Sequence, residues 1–232
     1  MIAFAGVSTC REHREVLADI DLQVTAEEFV LLLGANGAGK STLLKHINGI
    51  LTPDSGTVTV DGRSPTADPA WVRQRIGMVF QEPRDQLIGA TVASDVAFGP
   101  ENLGLPSDEI DAIVEESLIA VGMSDELHRP VDELSHGEQT RVAIAGALAM
   151  NPQYLILDEP LVGLDAWALQ GILDHLLAVH RDGTGIVLAT HDVRDLWMHA
   201  DRIIGMSDGR IVLDGSPSQV RSELASIGVR PP

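Results

Sequence analysis

Lys40 and Ser41 close the run Gly34-Ala35-Asn36-Gly37-Ala38-Gly39-Lys40-Ser41, in which glycines recur among small residues. Glycine adopts backbone conformations closed to other residues, so Gly34, Gly37 and Gly39 let the chain curl until its N–H groups face one point. A helix beginning there adds the positive end of its dipole, and together they make a nest for phosphate. Lys40 has the reach to meet β and γ phosphates, and the Ser41 hydroxyl is placed to ligate Mg²⁺. The flanks suit that chemistry. The apolar run Phe29 to Leu33 reads as a strand, and Thr42-Leu43-Leu44-Lys45-His46-Ile47 reads as the following helix.

A second set of residues lies further along. Leu134-Ser135-His136-Gly137-Glu138-Gln139 precedes the helix-like stretch Thr140 to Met150, and Tyr154-Leu155-Ile156-Leu157-Asp158-Glu159-Pro160 follows. Gln81 stands after the apolar run Ile76 to Phe80, and His191 after Ile186 to Thr190. Each alone has a bland reading, since a histidine after a strand is commonly a packed or capping residue and Asp-Glu-Pro is a common turn. In register, however, they resemble the ABC ATPase family over nearly the whole chain. The signature then lies at Leu134 to Glu138, the Walker B strand at Tyr154 to Asp158, the D-loop ends at Asp165, and His191 is the switch histidine.

That resemblance implies an α/β P-loop NTPase of the ABC ATPase fold. Residues 1–90 and 151–232 would form an N-terminal antiparallel β subdomain with a RecA-like parallel-sheet core, and 91–150 an inserted α-helical subdomain. ATP would be gripped by Gly34, Asn36, Gly37, Gly39, Lys40, Ser41 and Thr42, and Mg²⁺ held by Ser41, Gln81 and Asp158. Glu159 would polarise the attacking water, His191 would contact the γ-phosphate and orient Glu159, and Gln81 would sense occupancy. Ser135, Gly137 and Asp165 would serve ATP bound to a second ATPase subunit, identical or related, so that two chains sandwich two ATPs. Two departures stand out. The window Ser8 to Arg14 lacks the aromatic that usually stacks on adenine; Arg11 is the nearest match, as a stacking guanidinium or as a simple surface charge. His136 replaces the usual first glycine of the signature pair.

The stretch from Met78 through Gln81-Glu82-Pro83 and Leu87-Ile88 to Phe98-Gly99-Pro100 and Leu105 is similar to ATPases of energy-coupling-factor importers, particularly the cobalt and nickel branch. There it would dock a transmembrane T component that works with a substrate-binding membrane subunit. Leu87, Ile88, Val92, Val96 and Phe98 are its apolar side chains, open to core packing or to docking. The rival classes are an ATPase of another importer class, a nontransport ABC ATPase acting on DNA or ribosomes, and a P-loop kinase. A DNA clamp would bring long heptads, a ribosomal member would bring two cassettes, and a kinase has no use for the signature.

Bulk properties constrain these readings. The chain has 232 residues, of which 44% are hydrophobic, enough for one core domain with an inserted lobe. No apolar run approaches the roughly 20 residues that span a bilayer. No secretory signal is visible at Met1-Ile2-Ala3-Phe4, so a soluble cytoplasmic protein is expected, held at the inner face of the membrane by its partner. Cys10 is the only cysteine, which excludes an internal disulfide and predicts a small buried or half-exposed thiol. The formal net charge is −18, from 34 acids against 16 Lys and Arg, and Lys40 and Lys45 are the only lysines. Such a surface suits molar cytoplasmic salt, where the Debye length is about 3 Å, and it weighs against binding nucleic acid.

The positioning elements follow from periodicity. Ile2, Phe4 and Val7, then Val16, Ile20, Leu22 and Val24, alternate as paired antiparallel strands. Continuous apolarity over Phe29 to Leu33 predicts a strand buried on both faces. Thr57 to Val60 with the Asp61-Gly62 turn predicts a hairpin. Ser107 is expected to cap a helix whose stripe is Ile110, Ile113, Val114, Leu118 and Val121. From Tyr154 on, strands at 154–157, 186–190 and 203–206 alternate with helices at 166–180 and 193–200, predicting a parallel sheet with crossover helices. A late strand, Arg210 to Leu213, leads to a last helix capped by Ser216 with Pro217 at its first position.

Overall fold

The computed structural model of the chain describes residues 1–162, 164, 166–193 and 196–232. Strands β1 (Ile2–Arg11) and β2 (Arg14–Val24) pair antiparallel, with Glu12 and His13 at φ 49° and 63° making the tight turn between them. Next come β3 (Phe29–Leu33), α1 (Lys40–Ile47), β4 (Ser55–Val60), α2 (Pro69–Arg73) and β5 (Ile76–Val79). The helices α3 (Val92–Asn102), α4 (Ser107–Ala120) and α5 (His136–Leu148) are followed by β6 (Tyr154–Asp158), α6 (Ala166–Arg181) and β7 (Gly185–Thr190). β8 (Arg202–Ser207), β9 (Arg210–Gly215) and α7 (Pro217–Val220) complete the order.

Two sheets result. One is antiparallel in the order β2-β1-β4; the other runs β5-β6-β7-β3-β8-β9, parallel except for the antiparallel edge strand β9. Every residue of β3, β6 and β7 is buried, which explains their unbroken apolar character. Successive side chains of β3 enter different cores. Phe29, Leu31 and Leu33 pack with α3 to α6, whereas Val30 and Leu32 pack with α1 and the antiparallel sheet. Each such side chain stabilises the fold by about 1.5–3 kcal/mol on area grounds. The frame beneath the C-terminal strand ends is therefore fixed from both sides.

Local expectations fare unevenly. The Asp61-Gly62 turn forms, with Val60 and Arg63 exchanging backbone bonds of 2.8 and 3.0 Å, but no strand follows it; β4 pairs with β1 instead. Turn chemistry is local, while the partner lies far away in sequence. Pro106, not Ser107, occupies the cap position of α4, in extended backbone that proline favours, and no side chain caps that end. A helix over 193–200 reduces, among the described residues, to the 3₁₀ turn Trp197–His199, which suffices to bury Val193, Leu196 and Trp197. Cys10 is exposed, neither buried nor half-exposed as expected. Ser216 caps α7 through a reciprocal box with Gln219, as its position before Pro217 predicts.

Candidate active site at the strand ends

β6, β7 and β3 are neighbours in the parallel sheet, so their C-terminal ends lie side by side. Asp158 and Glu159 follow from β6, His191 from β7, and the Gly34–Ser41 loop from β3; Gln81 comes just after the edge strand β5. Open α/β sheets bind ligands at such strand ends. The cleft there has a volume of about 370 Å³ and is lined by Asn36 to Thr42 together with Val16, Gln81 and Glu159.

The loop is tight where it must be. A Cβ on Gly34 would lie 2.5 Å from the Met206 carbonyl oxygen. Gly39, at φ 104°, heads α1, and a Cβ there would come within 3.0 Å of the Val16 carbonyl oxygen. Only glycine gives this curl and this approach together. The first N–H groups of α1 lack intrahelical partners and have no side-chain cap, leaving them for an anion.

Charged side chains converge on that loop. Lys40 donates from Nζ to the carbonyls of Gly34 at 2.8 Å and Ala35 at 3.4 Å, and it lies 3.2 Å from Glu159 Oε1. Both members of this ion pair are only 6% exposed, so neither charge is balanced by water. His191 Nδ1 is 3.0 and 3.2 Å from the two Glu159 oxygens, a bond in which the imidazole donates and the carboxylate accepts. Glu159 itself has φ 52°, a region that costs a bulky residue on the order of 1–3 kcal/mol. Its N–H is held by the Ala189 carbonyl at 2.9 Å, so the neighbouring strand fixes this backbone.

Ser41 Oγ donates to Asp158 Oδ1 at 3.0 Å. Burial pushes the Asp158 carboxyl above its ordinary range; the Ser41 hydrogen bond opposes that shift, and the Glu159 charge adds to it. A hydroxyl beside a carboxylate is a hard oxygen pair, the donor chemistry that Mg²⁺ prefers. The glycine cradle, the inward lysine and this oxygen pair together fit a Mg-nucleotide.

Other anticipated residues sit elsewhere. Ser135 is the exposed N-cap of α5, outside the cleft, and Gly137 lies in the first turn of that helix. Arg11 ends β1 opposite Arg14, exposed and away from the cleft lining, where Val16 forms the wall. Asp165 lies outside the described residues. Val16 also lines the cleft, and nothing in its local sequence signals that position. The reciprocal cap at Ser135 did carry a signal, the Ser-x-x-Glu spacing to Glu138.

Comparison with known proteins agrees with this geometry. The sequence profile described as "ABC transporter" matches residues 17–162. A relative from Halobacterium salinarum, described as an ABC transporter ATP-binding protein, is 53% identical over 213 residues, covering 92% of each chain. The energy-coupling factor transporter ATP-binding protein EcfA of Methanocaldococcus jannaschii is 45% identical over 215 residues, 91% of this chain and 77% of that one. The structure of cbiO1 from Clostridium perfringens, part of the ABC transporter complex cbiONQ, superposes with a TM-score of 0.86 at 36% identity. That match covers 96% of this chain and 90% of the other. With its phosphate loop, paired acids and histidine at adjoining strand ends, the chain belongs to the ABC transporter ATP-binding family and is an ATPase.

Proposed function

We propose that the chain is the ATP-hydrolysing subunit of an energy-coupling-factor importer for cobalt, nickel or a vitamin. It acts as one half of a dimer that encloses two ATP molecules and moves a membrane T component. The observation that carries the chemistry is the Lys40–Glu159–His191 cluster beside the Ser41–Asp158 pair at the phosphate loop. The names of the relatives and the similarity of Gln81 to Leu105 to importer ATPases support the transport assignment. In this reading 1–90 with 151–232 forms the catalytic core and 91–150 the lobe that meets the membrane partner, which holds the protein peripherally at the inner face. No helix among the described residues is long and apolar enough to cross a membrane.

Each side chain then has a task. Backbone N–H groups from Asn36 to Thr42 grip the phosphates, and Lys40 exchanges its carbonyl partners for phosphate oxygens. Ser41 and Asp158, with Gln81, would hold Mg²⁺, which when bound neutralises phosphate charge. Glu159 takes the proton of the attacking water at a carboxylate oxygen, while the His191 Nδ1–H keeps that carboxylate oriented. Ser135 and Gly137 complete the site of the other subunit, consistent with their distance from the cleft in their own chain, and Asp165 is assigned beside them. Arg11, outside the cleft lining, is carried only as a candidate for stacking on adenine.

Glu159→Gln tests the assignment, because it leaves Lys40, Ser41 and Asp158 in place while removing the base. Hydrolysis should fall by about 10²–10⁴-fold. Size-exclusion chromatography with Mg-ATP should show a trapped dimer. A monomer turning over at the wild-type rate would sink the reading.

A further inference from the structure

Residues 127–131 run between the N-termini of α3 and α5 and are bonded to the segment that follows Gln81. Val92 N donates to Arg129 O at 3.0 Å, Ala93 N to Leu127 O at 2.9 Å and Val131 N to Ala90 O at 3.3 Å, and Thr91 bridges Pro130. The preceding turn is pinned as well, since Asp95 Oδ1 accepts from Ile88 N at 2.7 Å and Gly89 N at 2.8 Å. From this strap the Arg129 side chain reaches the other way. Nη1 donates to Glu138 Oε1 at 2.7 Å, and Nη2 to the Glu133 carbonyl at 2.9 Å.

Glu138 divides its oxygens. Oε1 takes Arg129, and Oε2 accepts the Ser135 N–H at 2.7 Å, while Ser135 Oγ accepts the Glu138 N–H at 3.4 Å. Burial pushes the Glu138 carboxyl up, but the Ser135 bonds and Arg129 outweigh it, and the group ends below its ordinary range. The nearby Glu126, 3.5 Å from the same guanidinium nitrogen, is a weaker competitor. A guanidinium serves a carboxylate and a carbonyl at once because its donors are fixed in a planar fork.

We infer that Arg129 is the positioning residue for Ser135, linking the signature cap through the 127–131 strap to the Ile88–Ala93 segment, so that displacement at one end is passed to the other. This rests on the proposed reading of Ser135 as a contact to nucleotide held by a second subunit. The link runs through consecutive bonded groups: segment backbone, strap backbone, guanidinium, carboxylate, capped serine.

The test uses the Glu159→Gln chain, measured for ATP-driven dimerisation by sedimentation and for nucleotide affinity of the monomer by fluorescent ATP analogue. Adding Arg129→Ala should weaken the dimer about tenfold while leaving monomer affinity unchanged, in keeping with the strength of a single charge-assisted hydrogen bond. Arg129→Lys should restore part of that loss, since an ammonium lacks the fork. Glu138→Gln, which retains a capping side chain but loses the charge, should act in the same direction, covering the case in which Arg129→Ala does not fold. Amide exchange at Val92 and Ala93 should respond to dimerisation with Arg129 present and not with alanine there. Undiminished dimerisation in both Arg129→Ala and Glu138→Gln overturns the inference, as does an equal loss of monomer affinity. Failure of Glu159→Gln alone to dimerise overturns the functional reading instead.

Discussion

Asp158 carries an electrostatic cost that its neighbours only partly relieve. Its folded-state pKa is raised by burial, so the folded protein binds this proton more tightly than the unfolded chain does. The resulting penalty is complete above the folded pKa, shrinks as pH falls through it, and vanishes below the ordinary carboxyl value. Asp158→Asn should therefore raise the melting temperature of the nucleotide-free protein at pH 8, with the gain fading on acidification, and should abolish Mg-dependent hydrolysis. Paired melts across pH decide it; a gain that persists unchanged in acid would assign the cost elsewhere. At this scale the sequence was partly legible. Lys40 and Ser41 announce themselves by spacing alone, and Glu159 and His191 by resemblance, whereas the strained backbone of Glu159 and its bond to Ala189 depend on a neighbouring strand. Arg129 was invisible because nothing in its local pattern reveals a partner nine residues away.

The segment after β5 splits between two environments. Val92 and Val96 are wholly buried and Leu87 packs partly against the same core, whereas Ile88 is 62% exposed and Phe98 47%. An expectation that treated these side chains alike is thus resolved by packing: the inward face of α3 belongs to the core it shares with the parallel sheet, and only the outward residues are free to meet a partner. Ile88→Asp with Phe98→Asp should leave folding and ATP affinity intact while abolishing recruitment by the membrane partner, checked by circular dichroism and copurification. Val96→Asp is the contrast. It buries an unpaired carboxylate and should cost about 3–5 kcal/mol, disrupting the packing of α3. A double variant that still copurifies would remove this face from the docking surface. The elements themselves were legible where apolar runs were continuous, as in β3, β6 and β7. They were not where a turn was read without its long-range partner, as at Asp61-Gly62.

Across the whole molecule, 34 acids face 16 lysines and arginines, leaving a formal net charge of −18. Self-repulsion of that kind weakens the folded state unless counterions screen it, and screening reaches about 3 Å at molar salt. Melting temperature should rise by several degrees from low salt to multimolar KCl; a flat series would show that the acidity carries no such demand. The same composition leaves lysine amines at only two places, Lys40 and Lys45. Lys40 is buried against Glu159 and Lys45 is half-buried on the same helix. An acylating reagent thus finds its lysine targets only on the helix that opens the nucleotide cleft, and intact mass after brief labelling, with and without ATP, becomes a direct gauge of occupancy.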